Sequence, residues 1–517
     1  MIILYHLDNE AIEYEDTEKD IITKCSVKNI QVCLILLSKK YNNALLVWCH
    51  QSLKQYLNKE KIYTIFHHKL ILASYSTSGK NILSKDLGFV DQHCFINVKR
   101  NVTYPTWLMS SDIGGLYSNV LIKYEKLSII NQSFSEFLCS LAKINMPKGL
   151  LCYSEPKLLL KGYDKVSINN RRKNYILYKF VKRHYKIQWI FILFINQLIF
   201  KNKFPLISLV KSLFVKKETN FHVNFSNIIV QSSKEKIKLD SFKVDVLIPT
   251  LGRKEHLYNV LKDFSKQTLL PQNIIIVEQN GDKNGVSELD FLNENWPFKI
   301  NHTFIHQLGA CNARNIALSR VTGNWVFFAD DDVRFNKNLL YEAYKSINKI
   351  GLSSFTFSCL QENEYGLDGF FHQWNGFGTN ASIVKSEFLA KCNFKTEHEF
   401  GYGEDSDFGM QLRNIGCDNI YLPSIKMLHL KAPIGGFRFK FKPNWENEEI
   451  KPKPSPTVMA YNLKHLSVEQ IKAYKFLLFV KFYKNQSIKN PFSYLKAMRK
   501  RWNISVKWAT KLINYEV

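Results

Sequence analysis

The chain has 517 residues, 45% of them hydrophobic, and a formal net charge of +26. That length exceeds one ordinary domain and the apolar content can fill more than one core, so a single small module is excluded. Its ten cysteines form no Cys-x-x-Cys pair and no metal-type spacing, which argues against a zinc module and reads as buried thiols in a reducing compartment.

In chain order, the opening Met1-Ile2-Ile3-Leu4-Tyr5-His6-Leu7-Asp8 runs into acids too soon for a signal peptide, which points to a cytoplasmic protein. Strand-like runs are expected at Val32 to Leu37, Ala44 to Trp48 and Ile71 to Tyr75, and small alternating elements of this kind suggest an α/β region up to about residue 160. Next, the cations from Arg171 to Lys186 meet the apolar run Trp189 to Ile195, which is too short to span a bilayer. Two readings stay open for residues 187 to 200: a basic, aromatic helix lying in the headgroups of an anionic membrane, or a helix buried between domains.

From Lys243 to Thr250 the pattern is a strand, followed by a turn at Leu251-Gly252-Arg253 and a helix from Lys254 to about Lys266. A second strand over Asn273 to Val277 ends on the acid Glu278, a third covers Ile300 to Ile305, and Gly309 opens a helix carrying Asn312, Arg314 and Asn315. Such spacings argue for parallel strands with crossover helices and polar residues gathered on one rim. The apolar run Trp325 to Ala329 then ends on Asp330-Asp331-Asp332. Three carboxylates at a strand end repel one another unless a cation or a ligand offsets them, and hard oxygen donors suit Mg²⁺ or Mn²⁺ held with a diphosphate; a turn and helix N-cap would use the same residues.

Farther along, Trp374-Asn375-Gly376-Phe377 offers aromatic faces for a sugar acceptor or for ordinary core packing. Glu404-Asp405-Ser406-Asp407 opens a helix that stops at Gly416, and acids in a first turn also serve the helix dipole. His429, among Leu residues, is either a metal ligand or a packed side chain, and the stretch Lys431 to Arg438 has the cations and glycines of a loop that closes over a diphosphate. Basic, aromatic segments return at Tyr474 to Lys484 and Arg499 to Trp502.

Taken in this order, Ile248-Pro249-Thr250-Leu251-Gly252-Arg253, the Gly309 to Asn315 segment, the aspartate triplet and Gly403-Glu404-Asp405 resemble a family 2 glycosyltransferase with the GT-A fold, over residues 243 to 435. The resemblance implies an α/β, Rossmann-like nucleotide-diphospho-sugar transferase domain in the second half. It also implies roles. Asp405 is the base with Glu404 beside it. Asp332 is a metal ligand with His429 completing the site, Asp330 approaches the ribose or the metal's waters, and Asp331 belongs with the nucleotide-sugar-binding residues. Pro249, Thr250, Arg253, Glu278, Gly309, Arg314 and Asn315 line the nucleotide pocket, Glu278 standing where the family more often has Asp. Trp374 and Asn375 form the acceptor wall. The processive members' Gln-x-x-Arg-Trp motif is missing, because Met498-Arg499-Lys500-Arg501-Trp502 lacks the glutamine and lies far downstream. One sugar per encounter is therefore expected.

Ser135 to Pro156 runs helix, glycine, strand and proline much as Asp407 to Pro423 does, without the acids, which suggests that the first half is a degenerate GT-A-like domain serving acceptor binding or packing. The expected division is an α/β domain over 1–162, a basic helical linker over 163–240, the catalytic domain over 241–440 and basic C-terminal helices over 441–517. The resemblance implies a non-processive, inverting transfer from a nucleotide-diphospho-sugar, a UDP-sugar first among them, with Mn²⁺ or Mg²⁺. The acceptor would be a glycan or a lipid-linked acceptor in a bacterial surface polysaccharide or lipopolysaccharide pathway, reached in the cytoplasm or from the inner face of the membrane. Two alternatives stand against it. A nucleotidyltransferase of related fold would carry a more glycine-rich loop after its first strand, and a basic nucleic-acid-binding or membrane-binding protein would leave the acids without work.

Overall fold

The computed structural model describes residues 1–124, 132–166, 173–217, 223–366, 369–431 and 442–514. Two compact units divide the chain: residues 1–235 with 349–351 and 467–476, and residues 236–348, 352–466 and 477–517.

In the first unit, strands β1 (Ile2–Leu7), β2 (Glu10–Asp16), β3 (Ile21–Lys24), β4 (Leu45–His50), β5 (Ile71–Tyr75), β6 (Tyr104–Pro105), β7 (Ile113–Tyr117) and β8 (Leu151–Ser154) make one mixed sheet in the order β3-β2-β1-β4-β7-β5-β8-β6. The run Val32 to Leu37, expected as a strand, lies inside the helix Ile30–Lys40. Its apolar residues suit either element, and the decision falls to Asn29, whose side chain accepts the Gln31 and Val32 backbone N–H groups and so starts a helix. Helix α1 (Phe134–Asn145) begins with a reciprocal pair in which Ser133 and Glu136 satisfy each other's backbone N–H groups. The basic segment forms three helices, Lys173–His184, Gln188–Lys201 and Leu206–Leu213.

The second unit holds β9 (Val244–Leu251), β10 (Asn273–Gln279), β11 (Lys299–Ile305), β12 (Trp325–Ala329), β13 (Val333–Phe335), β14 (Ser354–Leu360), β15 (His372–Gln373), β16 (Ala381–Lys385) and β17 (Ile420–His429). The sheet order is β11-β10-β9-β12-β16-β14-β17-β13, with β15 beside β17. Parallel pairing joins β11, β10, β9 and β12, and β16 then lies antiparallel to β12, so the sheet is mixed where alternation alone suggested parallel strands. Helices α2 (Lys254–Ser265) and α3 (Ala310–Leu318) follow β9 and β11; α4 (Glu404–Asn414) and α5 (Pro456–His465) come later. Leu247, Ile275, Val326, Phe328, Phe377, Phe394 and Phe408 form the core under the cleft rim. The Phe394 and Phe408 rings stack at 4.2 Å.

At the opposite strand ends, the buried Asp245 carboxylate accepts the Thr322 and Gly323 backbone N–H groups at 2.7 and 2.8 Å and the Asn273 side-chain amide at 2.6 Å. Removing it strands buried donors, so Asp245→Ala is expected to cost about 2–4 kcal/mol in urea unfolding.

The two sheets share an inner pattern. From β1 the first runs β1-β4-β7-β5-β8-β6 with parallel, antiparallel, antiparallel, parallel and antiparallel pairings. From β9 the second runs β9-β12-β16-β14-β17-β13 with the same senses in the same order. They part at the edges: β2 and β3 are antiparallel where β10 and β11 are parallel, and β6 follows β5 in the chain whereas β13 precedes β14.

Candidate active site

At the carboxyl ends of β9 and β12 the second unit opens a cavity of about 660 Å³. The aspartate triplet does not cap a helix; it leads into β13, and its members divide their work. Asp331 points inward, accepting the Thr250 hydroxyl at 2.7 Å and Arg253 Nη1 at 2.6 Å. Burial pushes its carboxyl up to about 6 against the pull of Arg253 and Thr250. Asp332 meets Arg253 Nη1 at 3.1 Å and His429 Nε2 at 3.4 Å. Asp330 accepts from Arg314 Nη2 at 3.1 Å.

One ligand atom each from Asp330, Asp332 and His429 lie within 4.8 Å of one another, a donor set of two carboxylates and one imidazole that suits a hard or borderline divalent ion such as Mn²⁺. The hydrogen bond to Asp332 draws the His429 imidazole above its ordinary value, against the effect of its burial. Such an arrangement attracts a cation.

Across the cavity, Asp405 is the second residue of α4 and accepts the Thr379 hydroxyl at 2.7 Å. Burial raises its carboxyl above the ordinary aspartate range, outweighing Arg314 and the bond from Thr379. Glu404 is pushed up to about 7 by burial and then by the charge of Asp405. Arg314, buried with its guanidinium over the Phe394 ring at 5.5 Å from the centroid, pairs with Asp330 and feels the charges of Asp405 and Glu404. A raised carboxyl pKa favours the protonated fold at low pH, and that advantage is lost as pH rises through about 7. Glu404→Gln should therefore raise the melting temperature more at pH 8 than at pH 5, at roughly 2–4 °C per kcal/mol relieved.

Pro249, Thr250, Arg253, Gly309, Arg314, Asp330, Asp331, Asp332, Glu404, Asp405 and His429 all line this cavity. Four expected residues are not among its lining. Glu278 is held by the Ser287 hydroxyl at 2.6 Å and His302 at 2.9 Å, while Gln279 takes the lining position. Asn315 bridges to the Phe394 backbone, accepting its N–H at 2.7 Å and donating to its carbonyl at 2.8 Å. Trp374 packs on Tyr421 at 5.2 Å, and Asn375 is exposed beside it. Lys431 lines the cavity, and the rest of the expected loop, from Ala432 to Arg438, lies outside the described residues.

Reading the sequence missed Glu399. Its carboxylate accepts the Cys311 and Asn312 backbone N–H groups at 3.1 and 3.0 Å, sitting on the positive N-terminus of α3. Gly309 holds φ 142°, a conformation side chains rarely adopt, and a Cβ there would also come within 2.5 Å of the Glu399 side chain. Also missed was a group on α4, where the half-buried His465 bonds the buried Asp407 at 2.6 Å and the buried His398 lies 3.8 Å from the same oxygen. Burial alone would raise Asp407; His398 and His465 hold it below the ordinary carboxylate range. Only the acid at 407 was visible as a pattern, since its histidine partners are distant or unpatterned in the sequence.

The same positions in the first unit carry different chemistry. Cys49 pairs with Ile113 as Ala329 pairs with Ala381, so His50, the last residue of β4, with Gln51 and Ser52 stands where the aspartates follow β12. Ser135, second residue of α1, donates to the Ser111 hydroxyl at 2.9 Å, which parallels the bond between Thr379 and Asp405.

Residues 245–402 match the model of the family described as "Glycosyl transferase family 2". The second unit carries a family 2 glycosyltransferase domain. No curated protein matches the chain. Among solved structures, S. aureus TarS 1-349 in complex with UDP-GlcNAc is similar at 15% identity over 50% of this chain and 71% of that one, with a TM-score of 0.33. GalNAc-T7 with UDP, GalNAc and Mn²⁺ is similar at 12% identity over 54% and 57%, TM-score 0.38. The mannosyltransferase PcManGT from Pyrobaculum calidifontis, in complex with GDP-Man and Mn²⁺, is similar at 14% over 53% and 74%, TM-score 0.29. The assignment of the glycosyltransferase domain rests on the family match, which agrees with the motifs and with the cavity they line.

Proposed function

We propose that the family 2 glycosyltransferase domain transfers one sugar per encounter, with inversion, from a nucleotide-diphospho-sugar to a hydroxyl of a glycan or lipid-linked acceptor. The observation that carries this reading is the shared cavity: Asp330, Asp332 and His429 on one side, Asp405 on the other and Arg314 between them. In this reading Asp330, Asp332 and His429 hold a divalent ion, which when bound neutralises charge on the departing diphosphate. Thr250 and Arg253 lock Asp331, and through it the triplet, in place. Asp405, oriented by Thr379, accepts the proton of the acceptor hydroxyl as the new bond forms on the sugar face opposite the leaving group. Its raised affinity for a proton suits that task.

The catalytic unit is assigned to residues 241–440, with a UDP-sugar as the first donor to try and bacterial surface polysaccharide or lipopolysaccharide synthesis in the cytoplasm as the setting. The first unit, with His50-Gln51-Ser52 in place of the triplet, is assigned as a degenerate GT-A-like partner that packs or binds acceptor. The reaction is tested by product identity. Incubation with UDP- and GDP-sugars and Mn²⁺ should release a nucleoside diphosphate, and release of pyrophosphate from a nucleoside triphosphate would instead indicate nucleotidyl transfer.

A further inference from the structure

Within the first unit, the basic helices carry an unusual surface. Between Asp164 and Glu218 the sequence has 13 Lys and Arg residues and no acid. The helix Gln188–Lys201 turns Ile190, Leu193 and Gln197 inward, where Gln197 is anchored between the Tyr178 hydroxyl at 3.0 Å and Asp86 at 2.6 Å. Its other face exposes Phe191, Ile195, Leu198 and Ile199, and Ile187 just before it continues the same stripe at helical spacing. In the helix Leu206–Leu213, Leu209 and Ser212 are buried, whereas Leu206, Ile207, Val210 and Leu213 face solvent. Ile207 is 73% exposed, and Phe204 and Phe214 at the two ends are 66% and 84% exposed. The Phe194 and Phe204 rings meet at 5.3 Å, so the two helices are neighbours. Lys186, Lys203, Lys211, Lys216 and Lys217 are exposed around these residues.

Soluble chains rarely leave so many large apolar side chains together in water. No described helix is long and apolar enough to cross a membrane. We infer that this face, helices Gln188–Lys201 and Leu206–Leu213 with Phe204 and Phe214, seats on an anionic lipid bilayer. The apolar stripes enter the interface, and the lysines meet lipid phosphates. Charge selects this occupant over a second copy of the chain, because two acid-free basic faces repel each other. The inference is independent of the proposed reaction and concerns only where the protein is held.

The test is flotation of the full chain with vesicles of phosphatidylcholine alone and of equimolar phosphatidylcholine and phosphatidylglycerol. Wild type is expected to float with the anionic vesicles at low salt and to be released at high salt. Ile207→Glu with Phe214→Glu, both on exposed sites, should lower the bound fraction about tenfold or more. Lys211→Glu, Lys216→Glu and Lys217→Glu together should lower it about 100-fold. Unchanged melting temperature and nucleotide binding would show that both variants are folded. Failure of wild type to bind anionic vesicles, or binding that survives both sets of changes, overturns the inference. So does a lipid-free dimer that the Glu variants split in sedimentation without any vesicle binding, which would make the face a contact between copies.

Discussion

Asp405→Asn is expected to lower kcat by about 10²–10⁴-fold while leaving donor binding within a few-fold of wild type. The substitution preserves shape, so the Thr379 hydroxyl at 2.7 Å keeps a partner, and what is lost is the group that takes the acceptor proton. The pH profile supplies a second readout. A base must be ionised, and because burial raises this carboxyl, kcat should fall as pH drops through a value above the ordinary aspartate range. With Glu404 charged only above about 7, a further change near neutrality should vanish in Glu404→Gln. An Asp405→Asn enzyme with normal kcat would remove Asp405 from the chemistry and leave its acids to the helix dipole.

The second large effect is expected at the triplet. Asp332→Ala removes one of two carboxylates facing His429 and should weaken Mn²⁺-dependent nucleotide binding by about 100-fold or more, several kcal/mol being typical of a metal's hold on a diphosphate. Asp331→Ala should behave differently. Asp331 is bonded to Thr250 and Arg253 and is not in the metal-competent group, so its loss should destabilise the fold and lower donor affinity without abolishing the response to Mn²⁺. Titrations with and without Mn²⁺, read beside thermal melts, separate the two.

Much of the second unit was legible in the sequence because its signals are local. Trp325–Ala329 is a pure apolar run ending in three acids, and β12 has those bounds. Gly309 and Gly416 bracket helices whose polar residues fall in the first turn. What escaped depends on contacts distant in the chain. Nothing near Glu399 says that it will reach the N-terminus of α3, 87 residues back, and nothing near His465 says that it will meet Asp407. Glu278 stands at a strand end where the family resemblance puts an acid before the base, and nothing in the sequence near it says that His302 of β11 and Ser287 of the loop between β10 and β11 will bond to it. In the first unit the run Val32 to Leu37 has no period that separates strand from helix, and the cap at Asn29 decides. The likeness between the two sheets showed in the sequence only as a helix, glycine, strand and proline sequence; the order of pairings that defines it is a property of the folded chain.

The most direct test of the glycosyltransferase account is calorimetric titration of the full chain with UDP-, GDP- and dTDP-sugars in the presence and absence of Mn²⁺. The account predicts that one nucleotide class binds with Mn²⁺, that omission of the metal or Asp332→Ala abolishes the heat, and that Asp405→Asn leaves it in place. Absence of binding by every donor, with and without metal, would contradict it.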